Sequence, residues 1–450
     1  MSATVLGWAR CVLPVILLLR LGLVGLTLRD PTGGILLDSE DYLALSSQLA
    51  AGSYLDPTGA AHDLTRPPGY PLYLAATYGP GGGAWLAVLG QLALTSGMAW
   101  MVYRVVASRA TQRAGLMAGW LIAVSPNMML WSTTIMTEAL FTVLVVASAL
   151  VLWPLLEAQG RPWRWAAAGV LLAAATYVRP VGMILLPAWA GVVGWQRYRR
   201  FGPRVALQGA GGLTLVVVFL VAPWYARNQM EHNRLTFSDV SYKTMTGFNL
   251  AETLSDALHI NRNDAIQLLQ PGASLSELAV DVITKYPRSF LKVQAFGIAR
   301  TIAGTDIGTW GNVLNWDTWT GFGLLSGLFE RGIDYGNSPL SGARSPLEVA
   351  LHRFLLATSL VYSLVLMLAA AAGLWGIVRG RAGSGFAWLA LVTVVLLTIS
   401  PGAAGQARFR VPAEPFLAML PAVVVVDKLG IRRTSLQPAL SRAAVEIEDV

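Results

Sequence analysis

Runs of apolar residues alternate with short polar stretches along almost the whole chain. About 17 to 25 residues of α-helix cross the hydrocarbon layer of a bilayer, and runs of that order or somewhat shorter lie at 12–28, 84–103, 114–130, 133–155, 165–178, 181–195, 205–226, 352–378, 385–400 and 411–427. The pattern predicts about ten transmembrane helices, within a range of roughly nine to thirteen set by the shorter runs. Two long polar stretches, 29–83 and 227–350, interrupt the series. Inside the second, LSELAVDVITKYPRSFLKVQAFGIARTIAGT carries apolar residues at helical spacing between Lys285, Arg288, Lys292 and Arg300, a pattern suited to helices lying in the membrane interface. Trp310, Trp316 and Trp319 nearby suit an aromatic belt. The predicted fold is an all-α polytopic bundle in four parts: a transmembrane module over 1–226 with its first outer loop at 29–83, an extracytoplasmic or interfacial segment over 227–350, C-terminal transmembrane helices over 351–430, and a cytoplasmic tail over 431–450. No repeat of 20 to 50 residues and no matched pair of broken spans is legible.

Composition sharpens this picture. A chain that is 54% hydrophobic and only 13% charged has too little polar surface for a soluble domain. Its net charge of +8 falls largely in short loops, where it meets anionic lipid, so a nucleic-acid partner is set aside. The single cysteine, Cys11, excludes an intrachain disulfide and a cysteine-rich metal site. Arg104, Arg109, Arg113, Arg161, Arg164, Arg197, Arg199, Arg200, Arg204, Arg379, Arg381, Lys428, Arg432 and Arg433 share one side if the spans are even in number. The bias of such residues toward the cytoplasm then places both termini there and the two long polar stretches outside. Arg20, in the middle of the first run, faces the bundle interior or snorkels outward.

The outer face holds nearly all the candidate chemistry. In DSEDYLALSSQLAAG, Asp38, Asp41 and Tyr42 share one face of a short surface helix at i, i+3 and i+4 spacing, with Glu40 beside them; acids at a helix start also serve as caps. HDLTRPPGYP carries Arg66 and Tyr70 on a segment stiffened by two prolines, which suits a guanidinium gripping a phosphate. In SPNMMLWSTTIMTEALF, Pro126 is expected to end one span and Glu138 to open the next, an acid near hydrocarbon that needs a partner or a function. VRPVG places Arg179 in a very short outer loop, and GQARFRVPAEPF sets Arg408 and Arg410 on either side of Phe409; positive residues on the outer face suggest an anionic partner. APWYARNQMEHNRL adds Arg227 and Asn228 as pocket candidates, and His232 as a candidate metal ligand together with one of the acids.

The order DSEDY, RPPGYP, SPN…TEALF, YVRPVG, PWYARN and RFRVPAEPF resembles the GT-C membrane glycosyltransferases, of the family 39/83 type that includes protein O-mannosyltransferases and aminoarabinose transferases. The resemblance implies a GT-C type bundle and transfer of a hexosyl or pentosyl unit, with inversion, from a polyprenyl-phosphate donor to a glycan, lipid or protein acceptor. The site would lie on the extracytoplasmic face of the cytoplasmic membrane. It matches Asp38 to the catalytic aspartate and Arg66 to the basic residue that holds the donor phosphate. Because Ser39 follows Asp38 where the family often has a second acid, the base is Asp38 or Asp41. Single displacement from a lipid phosphate needs one carboxylate to take the acceptor's proton and positive charge where the leaving phosphate gains negative charge, here from Arg66, Arg408, Arg410 and Arg179. Glu138 would orient the acceptor or hold a divalent ion, the one cofactor this reading admits. A lipid or solute transporter of similar topology is the alternative.

Overall fold

The computed structural model describes residues 18, 20–22, 25, 35–55, 63–78, 83–157, 163–269, 274–313, 346–379 and 385–428. The predicted first span, Trp316, Trp319 and the predicted C-terminal tail lie wholly or mostly outside them. Among the described residues the chain is helical, with no β-strand. The helices are α1 Leu37–Ala50, α2 Gly69–Thr77, α3 Gly83–Arg109, α4 Gln112–Ala123, α5 Pro126–Thr133, α6 Glu138–Glu157, α7 Trp163–Val178, α8 Gly182–Phe201, α9 Pro203–His232, α10 Val240–Thr244, α11 Ala251–Leu258, α12 Arg262–Leu268, α13 Leu275–Lys285, α14 Pro287–Ala303, α15 Ile307–Val313, α16 Pro346–Val378, α17 Gly385–Ile399 and α18 Glu414–Lys428. A π-helical turn, Met245–Leu250, joins α10 to α11, and two 3-10 helices, Gly402–Ala404 and Ala407–Ala413, lead into α18.

Helices α3, α6 and α9 and residues Arg353–Val378 of α16 are long and apolar enough to cross a membrane, and the chain is an integral membrane protein. Their packing is dispersion and shape, since lipid offers no hydrophobic contrast to the bundle interior. Trp131, Phe141, Trp189, Phe386 and Phe416 are fully enclosed. Trp153 stacks on Phe386 at 3.9 Å, and Trp189 satisfies its ring N–H on Thr393.

With the bent pair Gln112–Ala123 and Pro126–Thr133 the described residues hold up to five candidate spans, and the predicted run over 114–130 differs from expectation. The apolar run 114–130 is not one rod: α4 and α5 meet at a bend of 49°. Pro126 stands just past the end of α4 and occupies the first turn of α5, where its missing N–H costs nothing, and Ser125 caps that helix through Met128 N. Carbonyls freed at such a bend need donors inside the membrane. Arg20 supplies them, bonding Ala123 O at 2.8 Å and Ile122 O at 3.4 Å, and it is buried. Of the two readings of Arg20, the interior one holds.

Helix α14 lies directly on the turn at 402–405 that precedes the second 3-10 helix. A Cβ added to Gly297 would overlap the Gly402 carbonyl, and one added to Gly405 would overlap the Gly297 carbonyl. Backbone meets backbone, so neither side can yield by a side-chain rotation. Gly297→Ala is therefore expected to cost about 1–3 kcal/mol through overpacking, read as a lower midpoint of thermal unfolding in detergent; an unchanged midpoint would mean that the two backbones separate freely.

Candidate functional site

Five segments far apart in sequence converge on one cavity of about 900 Å³. Helix α1 brings Asp38 and Asp41, the loop before α2 brings Arg66, the N-terminus of α6 brings Glu138, the α7–α8 turn brings Arg179, and the second 3-10 helix brings Arg408 and Phe409. Buried Ser39 fixes α1 by donating to Ile135 O at 2.8 Å, three residues before Glu138, which ties the first acid to the second. The residue that departs from the family's acid pair is thus a structural anchor. Asp63 accepts from Arg66 N at 2.5 Å, and Tyr54 donates to Arg66 O at 2.6 Å, so the arginine's backbone is held on both sides. Gly69 is needed for proximity: a Cβ there would lie 2.6 Å from the Tyr177 carbonyl carbon, driving the Arg66 loop away from the turn that carries Arg179.

The charges are matched in pairs. Arg66 donates from Nη2 to Asp38 Oδ1 at 2.7 Å and to Asp41 Oδ2 at 3.0 Å, while its guanidinium lies 5.0 Å from the centre of the Tyr42 ring. Arg408 Nη1 reaches the other oxygen of Asp38 at 3.3 Å. Burial opposes ionisation of Asp38, yet the guanidiniums of Arg408 and Arg66 outweigh it and hold the carboxyl below its ordinary 3.8. Arg179 Nη1 pairs with Glu138 Oε1 at 2.9 Å, and Glu138 is fully buried. Breaking such a pair from one side costs about 3–5 kcal/mol, because the surviving charge stays buried. Phe409 lies between two arginines, with Arg408 4.8 Å and Arg179 5.4 Å from its ring centre.

A further wall of the cavity comes from the chain that follows α9. Asp239 N bonds Leu64 O at 3.1 Å, Ser238 Oγ bonds Thr65 O at 2.5 Å, and Lys243 Nζ bonds Thr65 Oγ1 at 2.7 Å. Asp63, Arg234, Asp239, Lys243 and Phe248 line the walls here and were not foreseen. Asp63 carried a local signal, an acid three residues before Arg66; the others are brought in only by tertiary packing. Burial lifts the Asp63 carboxyl above its ordinary range.

Several predicted residues are placed elsewhere. Arg410 is buried away from the cavity: two positions apart in a 3-10 helix of three residues per turn point in different directions, so Arg408 and Arg410 diverge. Tyr70 is fully buried, donates to Gln91 Oε1 at 3.0 Å and braces Tyr42 edge-on at 5.1 Å. Arg227 donates to Asp63 O at 2.7 Å and stacks on Trp224, and buried Asn228 donates to Thr236 O and Phe237 O. These two residues hold the turn after α9 and do not line the cavity. Glu40 is exposed and also outside it. His232 lines the cavity, but among the described residues no three His, Cys, Asp or Glu side chains converge as metal ligands.

Residues 65–225 match the family described as dolichyl-phosphate-mannose-protein mannosyltransferase. That stretch is roughly a third of the chain and contains RPPGYP, TEALF and YVRPVG, so the resemblance to GT-C membrane glycosyltransferases is supported there. Crystal structures of ArnT from Cupriavidus metallidurans, in the apo state and bound to undecaprenyl phosphate, are similar at 16% identity, each match covering 95% of this chain and 78% of that one with a TM-score of 0.41. No curated protein matches the chain.

Proposed function

We propose that the protein is an integral membrane glycosyltransferase that moves a monosaccharide from a polyprenyl-phosphate donor to an acceptor hydroxyl, with inversion, on the extracytoplasmic face. The observation that carries this reading is Asp38 held between Arg66 and Arg408 in one cavity. A carboxylate kept ionised is ready to accept the acceptor's proton. Two guanidiniums within reach of it offer paired donors to a phosphate and stabilise the charge that builds as the lipid phosphate departs. Arg179, paired with Glu138, lines the same cavity. Asp41 touches only Arg66 among these cations and is the weaker candidate for the base. The donor's phosphate belongs at Arg66 and Arg408, and the wall contributed by Asp239, Lys243 and Phe248 is left for the acceptor, whose hydroxyl must reach Asp38.

The bent pair α4–α5 is the feature that a transporter reading would claim, since broken helices line ion and solute paths. Here the two ends at the break are met by the buried side chains Arg20 and Glu414, neither of which lines the cavity. Proteoliposomes test both readings. With polyprenyl-phosphate-linked sugars and a cell-envelope acceptor fraction, sugar is expected to appear on the acceptor; labelled lipid crossing the bilayer with no glycosylated product would instead establish transport.

A further inference from the structure

Behind the cavity wall, a second set of polar side chains is buried with no part in the site just described. Glu414, the first residue of α18, is 1% exposed and Arg410 is 4% exposed. Glu414 accepts from Ser125 Oγ, from Asn127 Nδ2 at 3.0 Å and from Arg410 Nε at 3.1 Å. Arg410 also donates to Ser363 Oγ at 2.9 Å and to Ile302 O. Arg410 of the second 3-10 helix is therefore tied directly to α18, to α16 and to the end of α14, and through Glu414 to the N-terminus of α5. Two residues earlier in the same 3-10 helix, Arg408 meets Asp38.

A buried ion pair is a poor source of stability, because desolvation consumes most of the attraction. Its better-attested use is to fix one arrangement among several. A 3-10 helix needs such help, since its hydrogen bonds are strained and short runs readily rewind. We infer that Arg410 and Glu414 are positioning residues for Arg408: their pair sets the rotation of residues 407–413 that directs the Arg408 guanidinium at Asp38 and the donor phosphate. This role rests on the glycosyltransferase reading of the cavity. Neither residue touches a substrate; both act through Arg408.

The test replaces the pair by apolar residues of similar volume, Arg410→Met with Glu414→Leu, and measures binding of undecaprenyl phosphate to the purified protein in nanodiscs alongside thermal unfolding. The unfolding midpoint is expected to fall, because Ser125, Asn127, Ser363 and Ile302 O lose a buried partner, with the variant still folded at the assay temperature. Affinity is expected to fall roughly tenfold to a hundredfold, the worth of a hydrogen bond to a charged group, and as far as it falls in Arg408→Ala. Adding the pair of changes to Arg408→Ala should cause no further loss. Unchanged affinity in the paired variant, or losses that add to that of Arg408→Ala, would overturn the positioning role while leaving the cavity's function intact. Should the paired variant not fold, Arg410→Lys keeps the charge but loses the fork to Ser363 and Ile302; the same loss at an unchanged midpoint is expected, and full affinity overturns the role. Wild-type protein that does not bind undecaprenyl phosphate would instead overturn the reading of the cavity, and this role with it.

Discussion

Asp38→Asn is expected to slow turnover by about 10²- to 10⁴-fold, the range for loss of a positioned general base, with affinity for the donor lipid unchanged or improved. The asymmetry follows from the pairing. Asparagine has nearly the same shape and keeps an oxygen for Arg66 Nη2, so the fold is preserved, but it cannot take a proton. Removing the negative charge also leaves Arg66 and Arg408 more strongly positive toward an incoming phosphate. Steady-state rates with donor-binding isotherms separate the two effects, and normal turnover in a folded Asp38→Asn protein would exclude this carboxylate as the base. Asp41→Asn serves as the comparison. Among the described residues Asp41 pairs with Arg66, so its loss is expected to cost less than about tenfold, on the scale of one partly exposed ion pair.

Arg66→Met is expected to be nearly as damaging, for two separable reasons. The first is lost stabilisation of the departing phosphate, on the order of 10²- to 10³-fold in turnover, as for removal of one preorganised donor. The second is a change in Asp38. Burial pushes that carboxyl up and the guanidiniums of Arg408 and Arg66 bring it below 3.8, so removing Arg66 lets it rise. The active form of the base is the carboxylate: the rate is present above its pKa and lost as pH falls through it. The acid limb of the pH–rate profile is therefore expected to lie at higher pH in Arg66→Met than in the wild type. The stability that the depressed pKa contributes above the unfolded value is reduced in the same variant. A limb that does not move would show that Arg408 alone keeps Asp38 ionised.

Much of this site was legible because it consists of exceptions. Glu138, Arg179 and Arg408 are charges beside apolar runs, where hydrocarbon makes a charge costly, while Asp38, Asp41 and Arg66 stand in the first polar stretch, and all six line one cavity. What sequence could not supply was direction. Arg408 and Arg410 looked equivalent around Phe409 until the 3-10 backbone sent one to the cavity and the other to Glu414. Tyr70, Arg227 and Asn228 carried polar atoms that the fold uses internally, on Gln91, Asp63 and the 236–237 backbone. Lys243 and Asp239 stand in an ordinary polar stretch and acquire meaning only when that stretch closes on Thr65 and Leu64. The bend between α4 and α5 left a faint trace. Hydropathy runs unbroken through 114–130, but Ser125-Pro126 is a cap followed by a first-turn proline, the start of a new helix written inside what looked like an old one.

In this arrangement Asp38 already occupies both guanidiniums that a phosphate would take, so the protein carries its own competing anion. Free phosphate from the surrounding water has to displace that carboxylate unaided. An anion tethered to a long isoprenoid chain is delivered by partitioning, at a local concentration that no soluble ion matches. Under the proposed function the pocket selects for the anchor as well as for the charge, and disfavours the small anions that would otherwise fill it.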